Sequence, residues 1–83
     1  MRRLDITRKA HKQIGNLSKL DAKALYAALE NLRNWPSVTG VKYIVNSDPK
    51  TYRLRVGHYR ALLTVTEDAI TIMEVKKRDE HTY

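Results

Sequence analysis

Three arginines placed around a short loop are the residues of this sequence best suited to chemistry. Arg53 and Arg55 precede the dipeptide Gly57-His58, and Arg60 follows it. A guanidinium group binds phosphate through two parallel hydrogen bonds and does not deprotonate. Clustered on a rigid element, such groups can hold a phosphate and stabilise the charge of a phosphorane-like transition state. On spacing alone, an ordinary basic surface explains these residues equally well.

The stretch from Thr51 to Val65 predicts a β-hairpin that positions the arginines. Gly57 suits the first central position of a type II′ turn, so Gly57-His58 is predicted to form a two-residue loop. In the resulting register Arg55 lies directly opposite Arg60, and the arginines share one face. Because like charges on paired strands repel each other, this arrangement indicates an anionic ligand. The other face is apolar or aromatic throughout and comprises Tyr52, Leu54, Val56, Tyr59, Ala61, Leu63 and Val65.

The rest of the chain predicts an α+β fold in which an antiparallel helix hairpin packs on a mostly antiparallel sheet, in the order β-α-α-β-β-β-β. A loop at Glu67-Asp68 would place Ile70 and Ile72 on the apolar face. The helices would be joined by Ser18-Lys19-Leu20. The predicted helices are one capped by Thr7, with Ala10, Ile14 and Leu17 as its apolar stripe, and one capped by Asp21 that ends near Asn34 or Trp35. The predicted strands cover residues 2–6, 41–45, the two arms of the hairpin and 69–75, and a polar tail follows over 76–83.

Length and composition limit the class of protein. The 83 residues predict a single domain, 1–83, and the absence of cysteine excludes disulfides and cysteine-based metal sites. No apolar run is long enough for a membrane span, so we expect a soluble, cytoplasmic protein. The net charge of +7 favours a polyanionic partner. Basic residues are spread along the chain, so contacts with that partner must come from the folded surface.

Cleavage of RNA by the substrate's own 2′-hydroxyl needs a proton acceptor, a proton donor and charge stabilisation, but no metal or other cofactor. Arginine stabilises charge but is a poor general base. The titratable candidates near the arginines are His58, Glu80, His81 and Tyr83. His11, on the first helix, is interpreted as an ordinary surface residue.

Two segments of the sequence resemble the RelE/ParE superfamily of bacterial toxins. The first is Tyr52-Arg53-Leu54-Arg55-Val56-Gly57-His58-Tyr59-Arg60, which is similar to a paired-strand motif of that superfamily. The second is the basic end Lys76-Lys77-Arg78-Asp79-Glu80-His81-Thr82-Tyr83, which follows the last strand. The predicted order of helices and strands also matches the RelE-like fold. The resemblance implies a toxin of a type II toxin–antitoxin system, neutralised by a cognate antitoxin protein.

Similarity to the RelE branch implies an endoribonuclease that enters the ribosomal A site and cleaves messenger RNA without a metal. Arg53 and Arg55 stand where messenger-cleaving members carry two basic residues. Arg60 would hold and stabilise the scissile phosphate, Arg78 would lie near the leaving group, and Tyr83 would orient the nucleotide or assist the 2′-hydroxyl. RelE-like sites often have lysines where this chain has arginines, so proton transfer is assigned to His81 or Tyr83. The expected RNA-binding residues are Arg53, His58, Lys76 and Lys77, and the expected catalytic residues are Arg55, Arg60, Arg78, His81 and Tyr83.

Two other functions remain compatible with the sequence. The ParE branch shares the scaffold and several arginines but inhibits DNA gyrase. A non-catalytic RNA-binding domain could use the same arginines only for phosphate contacts. The terminal histidine and tyrosine favour RNA cleavage over gyrase inhibition. DNA would be contacted only through a toxin–antitoxin complex.

Overall fold

The computed structural model describes residues 2–77. They form two helices and five strands in the predicted order, and the α+β fold class is confirmed. No helix in this part of the chain is long and apolar enough to cross a membrane. The elements are β1 (Arg3–Ile6), α1 (Arg8–Gly15), α2 (Lys19–Asn31), a 3₁₀ turn (Leu32–Asn34), β2 (Val41–Tyr43), β3 (Thr51–Val56), β4 (Tyr59–Val65) and β5 (Ala69–Lys77).

Each α-helix begins after a hydroxyl side chain that caps it. The Thr7 hydroxyl accepts a hydrogen bond from the backbone N–H of Ala10 at 3.2 Å, as predicted. The prediction for the second helix was wrong, because its cap is Ser18, whose hydroxyl accepts from the N–H of Asp21 at 3.2 Å. Asp21 instead lies in the first turn, where its charge interacts favourably with the helix dipole. The two helices are therefore joined by residues 16–18, two residues earlier than predicted.

The helix ends also differ in detail from the sequence pattern. α1 ends at Gly15, and Leu17 lies beyond it, although its side chain still packs half-buried against the core. The second helical segment stops before Trp35, as Pro36 requires, but its last turn is 3₁₀. The Trp35 ring closes this end by packing edge-on against Tyr52, with ring centroids 4.8 Å apart.

The five strands form one sheet in the order β1-β5-β4-β3-β2. β1 pairs in parallel with β5, and the other neighbours are antiparallel. The apolar residues of the sheet and of both helices form a common core, so the helices cover one face of the sheet. Its buried members are Ala10, Ile14, Leu25, Leu29, Leu32, Leu54, Ala61, Leu63, Ile70, Ile72 and Val75.

The β3–β4 hairpin has the predicted register. Arg55 pairs with Arg60, and Val56 pairs with Tyr59 across the Gly57-His58 loop. Gly57 has a φ of +56°, the left-handed conformation that the loop requires and that glycine adopts without strain. Along both strands of this hairpin, residues of the apolar face therefore alternate without interruption with residues of the arginine face.

The pairing of β4 with β5 contains a β-bulge that the sequence analysis did not predict. Leu63 pairs with Ile72, whereas the preceding Leu62 pairs with Glu74, so Met73 is an extra residue in β5. The bulge shifts the alternation by one position and places Val75 in the core, with a side chain only 5% exposed. Without it, Glu74 would point into the core, where a carboxylate is costly to bury.

β5 also extends further than predicted, because Lys76 and Lys77 are its last residues and not the start of a tail. They pair with Arg60 and Tyr59, so the hairpin provides ladder partners to the end of the strand. The predictions that Ile70 and Ile72 are buried on the apolar face are confirmed.

Helix α1 completes the edge of β5 beyond the end of β1. β1 pairs with β5 only as far as Ile72. The next backbone groups are bound by α1 and its cap: the Thr7 hydroxyl donates to the Met73 carbonyl at 3.1 Å, and the Gln13 Oε1 accepts from the N–H of Val75 at 2.6 Å. These contacts satisfy a sheet edge that would otherwise have unpaired backbone groups.

Two strands are shorter than predicted. β1 begins at Arg3, one residue later. β2 ends at Tyr43 and does not reach Val45, because the chain already turns at Ile44, whose carbonyl accepts from the Ser47 hydroxyl at 2.6 Å.

Candidate functional site

The face of the sheet that the helices leave uncovered carries a group of cations, here called the basic face. The alternation of side chains places Arg53, Arg55 and Arg60 on it, as the sequence predicted. Arg53 and Arg60 are half-buried, whereas Arg55 is exposed. The basic face is completed by Lys42 from β2 and Lys76 from β5.

Three of these cations form a row across neighbouring strands. Arg55 of β3 pairs with Arg60 of β4, which in turn pairs with Lys76 of β5. Neighbouring strands lie about 4.8 Å apart, so the row spans roughly 10 Å. Like charges at directly opposite positions are destabilising, and a bound phosphate would remove that repulsion. The row therefore has the charge and spacing of a phosphate-binding site.

A depression of about 300 Å³ lies beside the row and extends the basic face to the edge of the sheet. The Gly40 carbonyl accepts from the N–H of Arg55 at 3.0 Å and so fixes the loop before β2 against β3. Gly40 has a φ of +77°, which a residue with a side chain rarely adopts. The depression is lined by Gly40, Val41, Lys42, Arg53 and Arg55.

Glu74 is an acidic residue that the register places on the basic face, opposite Leu62. Its carboxylate binds Lys9 of α1 at 2.9 Å and Lys76 at 3.1 Å, using a different oxygen for each. The hydrogen bond from Lys9, followed by that from Lys76, lowers the pKa of Glu74 below its ordinary value. Glu74 is therefore ionised at neutral pH, and it holds Lys76 at the end of the row.

A hydrogen bond fixes the end of the hairpin to the helix layer. The Tyr59 hydroxyl donates to the carboxylate of Asp21 at 2.8 Å. This bond, with burial and the charge of Asp21 as further causes, raises the pKa of Tyr59 above its ordinary value. Tyr59 therefore remains a neutral hydrogen-bond donor and connects the arginine hairpin to the start of α2.

The predicted RNA-binding residues do not all lie on the basic face. Lys76 joins Arg53 there, but Lys77 pairs with Tyr59 and so lies on the opposite side of the sheet. His58 is exposed in the hairpin loop, beyond the paired positions. Arg78, Glu80, His81 and Tyr83 lie outside the described residues, and their roles stay predictions.

Sequence reasoning missed Gly40, Lys42 and Glu74 as members of the site. Lys42 lies between Val41 and Tyr43, and this alternation is a signal that it projects to the opposite face from these neighbours. The partner of β2 was needed to place Lys42 beside Arg53. Glu74 gave no such signal, because the bulge decides which face it occupies.

Comparison with known proteins finds structures of similar fold but no match by sequence. No family model matches the chain, and a search of the curated proteins gave no match either. Among solved structures, a chain of the archaeal RelE–RelB complex from Pyrococcus horikoshii OT3 matches with a TM-score of 0.81 and 22% identity, covering 95% of this chain and 97% of that one. A chain of the toxin–antitoxin complex RelBE2 from Mycobacterium tuberculosis matches with a TM-score of 0.78 and 20% identity, covering 93% and 98%. The isolated E. coli RelE toxin matches with a TM-score of 0.78 and 19% identity, covering 99% and 89%. The resemblance to the RelE/ParE superfamily is thus confirmed at the level of the fold: this chain has the fold of the RelE toxins.

Proposed function

We propose that this protein is the toxin of a type II toxin–antitoxin system and cleaves messenger RNA in the ribosomal A site. The observation that carries the proposal is the row formed by Arg55, Arg60 and Lys76 on the uncovered face of a RelE-like fold. Such a row can bind the backbone of a single RNA strand and neutralise charge at one phosphate. We expect the protein to act in the cytoplasm, where its substrate is translated.

In the proposed reaction, the 2′-hydroxyl of the substrate attacks the adjacent phosphate and the 5′-oxygen of the next nucleotide leaves. Arg60 binds the scissile phosphate and stabilises the charge that develops on it. Arg55, Arg53 and Lys76 hold the neighbouring backbone, and no metal takes part. Proton transfer is assigned to His81 or Tyr83, because an arginine does not exchange protons at neutral pH. Arg78 is assigned to the leaving group.

We also propose that a cognate antitoxin restrains the protein. The P. horikoshii structure is a complex of RelE with RelB, and the M. tuberculosis structure is a toxin–antitoxin complex, which supports a partner of this kind. The antitoxin would cover the basic face with an acidic segment that neutralises its cations, or would pack a helix beside that face. Association should then be fast and sensitive to salt, because long-range attraction between opposite charges speeds encounter. An on-rate that does not change between low and high ionic strength would contradict this mode of binding.

The experiment that tests the function is a translation reaction reconstituted from purified components. The protein should stop protein synthesis, and primer extension should map cuts within the codon in the A site. The same message without ribosomes should remain intact. A parallel assay of gyrase supercoiling separates the ParE-like function, since blocked supercoiling with intact message would overturn the proposal. Binding of the message without any cut would instead support a non-catalytic RNA-binding domain.

A truncated protein tests the roles assigned to the end of the chain. Removal of Thr82 and Tyr83, or single replacement of His81 or Tyr83, should abolish or strongly slow cleavage. Thermal stability, ribosome binding and antitoxin binding should change little. Full cleavage by the truncated protein would leave the arginines as the whole site.

A further inference from the structure

The outer surface of the two helices carries a second group of cations, on the opposite side of the molecule from the basic face. Residues 8–31, which include both helices, contain five basic residues and two acidic residues, which gives them +3 of the chain's net charge of +7. Of the two acidic residues, Asp21 is bound by Tyr59, and Glu30 forms an ion pair with Arg33. Four of the cations are exposed and point away from the buried stripes of their helices; they are Arg8, Lys12, Lys19 and Lys23, here called the helix patch.

The spacing of the helix patch costs stability. Arg8 and Lys12 are four residues apart on α1, and Lys19 and Lys23 are four residues apart on α2. Like charges at this spacing are neighbours on a helix surface and destabilise it by about 0.2–0.5 kcal/mol per pair. Among residues 2–77, none of the four forms an ion pair that would offset this repulsion.

One interhelical contact holds the two halves of the patch together. His11 Nδ1 and the Tyr26 hydroxyl form a hydrogen bond of 2.9 Å between α1 and α2, and their rings are tilted with centroids 5.8 Å apart. Arg8 lies one turn before His11, and Lys23 lies one turn before Tyr26. The bond therefore brings the cations of both helices onto one continuous surface.

The chemistry of the helix patch fits a nucleic-acid backbone better than a protein partner. A protein interface needs an apolar centre, and charged residues are depleted there. The helix patch is built of flexible cations around a bonded polar pair, and a surface that is polar and strongly positive is typical of binding to phosphates. Double-stranded RNA is recognised mainly through its shape and its phosphates, which such a surface can contact without reading bases.

We propose that the helix patch is a second RNA-binding surface, which binds the backbone of double-stranded RNA while the basic face remains available for a single strand. The protein then lies between two RNA segments, one on each side of the sheet. This inference goes beyond the proposed function, because it concerns binding on the opposite side of the molecule and requires no cleavage.

The test measures the affinity of the full chain for a blunt RNA duplex of about 16 base pairs by fluorescence anisotropy at several salt concentrations. The double variant Lys12→Gln/Lys23→Gln should bind more weakly, and the slope of log K against log salt should become shallower by about two, one for each lost phosphate contact. The matched control is Arg3→Gln/Lys50→Gln, which removes the same charge from exposed positions on β1 and before β3. The control should keep the slope of the unaltered protein.

The outcomes distinguish binding of RNA through the helix patch from nonspecific attraction of RNA to the protein's positive charge. Equal slopes for the double variant and the unaltered protein would overturn the proposal, as would equal losses in the double variant and the control. Poly-glutamate serves as an acidic-peptide probe. If the double variant loses poly-glutamate binding but keeps duplex binding, the surface recognises a protein and the proposal fails. Circular dichroism melts establish that both variants are folded. A protein that binds the duplex through this patch but cuts no message would refute only the proposed function.

Discussion

The β3–β4 hairpin and the β4–β5 pair bring cations to the same face of the sheet in two different ways. In the hairpin, Arg55 and Arg60 face each other because the two-residue loop sets the register of the strands. With that register, the regular alternation of side chains places all the apolar ones on the same face. In β5, Lys76 reaches the same row only because Met73 bulges and shifts the alternation by one residue.

The two regions also differ in what holds them. The hairpin is held by the backbone hydrogen bonds between its own two strands and by the burial of its apolar face. The bulged part of β5 depends on a helix distant in sequence, through the cap Thr7, the acceptor Gln13 and the ion pair of Lys9 with Glu74. The difference indicates that the arginines are a local property of the hairpin, whereas the position of Lys76 depends on packing between α1 and β5.

The largest expected effect concerns the hairpin. Arg60→Ala should lower messenger cleavage by roughly two to three orders of magnitude, because it removes a group assigned to the transition state, while the protein stays folded. Codon cleavage on purified ribosomes and the thermal midpoint measure the two properties. Arg60→Lys keeps the charge but loses the planar fork, so it should recover only part of the activity. Unchanged cleavage by folded Arg60→Ala protein would remove Arg60 from the site.

The next effect concerns the helix that supports β5. Gln13→Leu should lower the free energy of unfolding by about 1–3 kcal/mol, because the buried N–H of Val75 would lose its acceptor. Urea unfolding measures the loss. The control is Gln13→Glu, which retains a side-chain oxygen and should cost less. Equal stability of the leucine variant and the unaltered protein would mean that the bulge does not depend on the contact with Gln13.

A pair of neighbouring lysines tests the direction of the side chains after the bulge. Lys76→Gln should reduce the salt dependence of messenger binding by about one unit of slope, because it removes one phosphate contact from the basic face. Lys77→Gln removes the same charge from the opposite face and should leave the slope unchanged. Binding of a short single-stranded RNA at several salt concentrations measures both. Equal effects of the two substitutions would show that only net charge matters.

The smallest effect is the pH dependence that Glu74 contributes. Its pKa is lowered in the folded protein, so its contribution to stability is present above the ordinary value of 4.5 and is lost as the pH falls through the lowered pKa. Glu74→Gln should therefore destabilise the protein at neutral pH, by less than about 1 kcal/mol because both lysines are largely exposed. Urea unfolding between about pH 7 and pH 3 should show the difference from the unaltered protein disappearing with acid. A difference that stays constant with pH would assign the effect to packing and not to the ion pairs.

Much of the arginine hairpin could be predicted because its signals are short in range. The glycine of the loop, the apolar alternation and the arginines lie within fifteen consecutive residues, from Thr51 to Val65, and a register error would bury the arginines. The second-helix cap was missed for a different reason. Ser18 and Asp21 are both good capping residues, and only the bond from the Asp21 N–H to the Ser18 hydroxyl decides between them.

The sequence by itself therefore determined the order of the elements, the register of the β3–β4 hairpin and the face on which its arginines lie. The tertiary structure alone decided the bulge at Met73, the place of Lys42 beside Arg53, and the contacts of Glu74 with Lys9 and Lys76. The physical reason is the range of the interactions. Turn geometry and two-residue alternation act between neighbours in the chain. A bulge, an edge pairing and an ion pair between a helix and a strand depend on groups up to 66 residues apart, which the fold must first bring together.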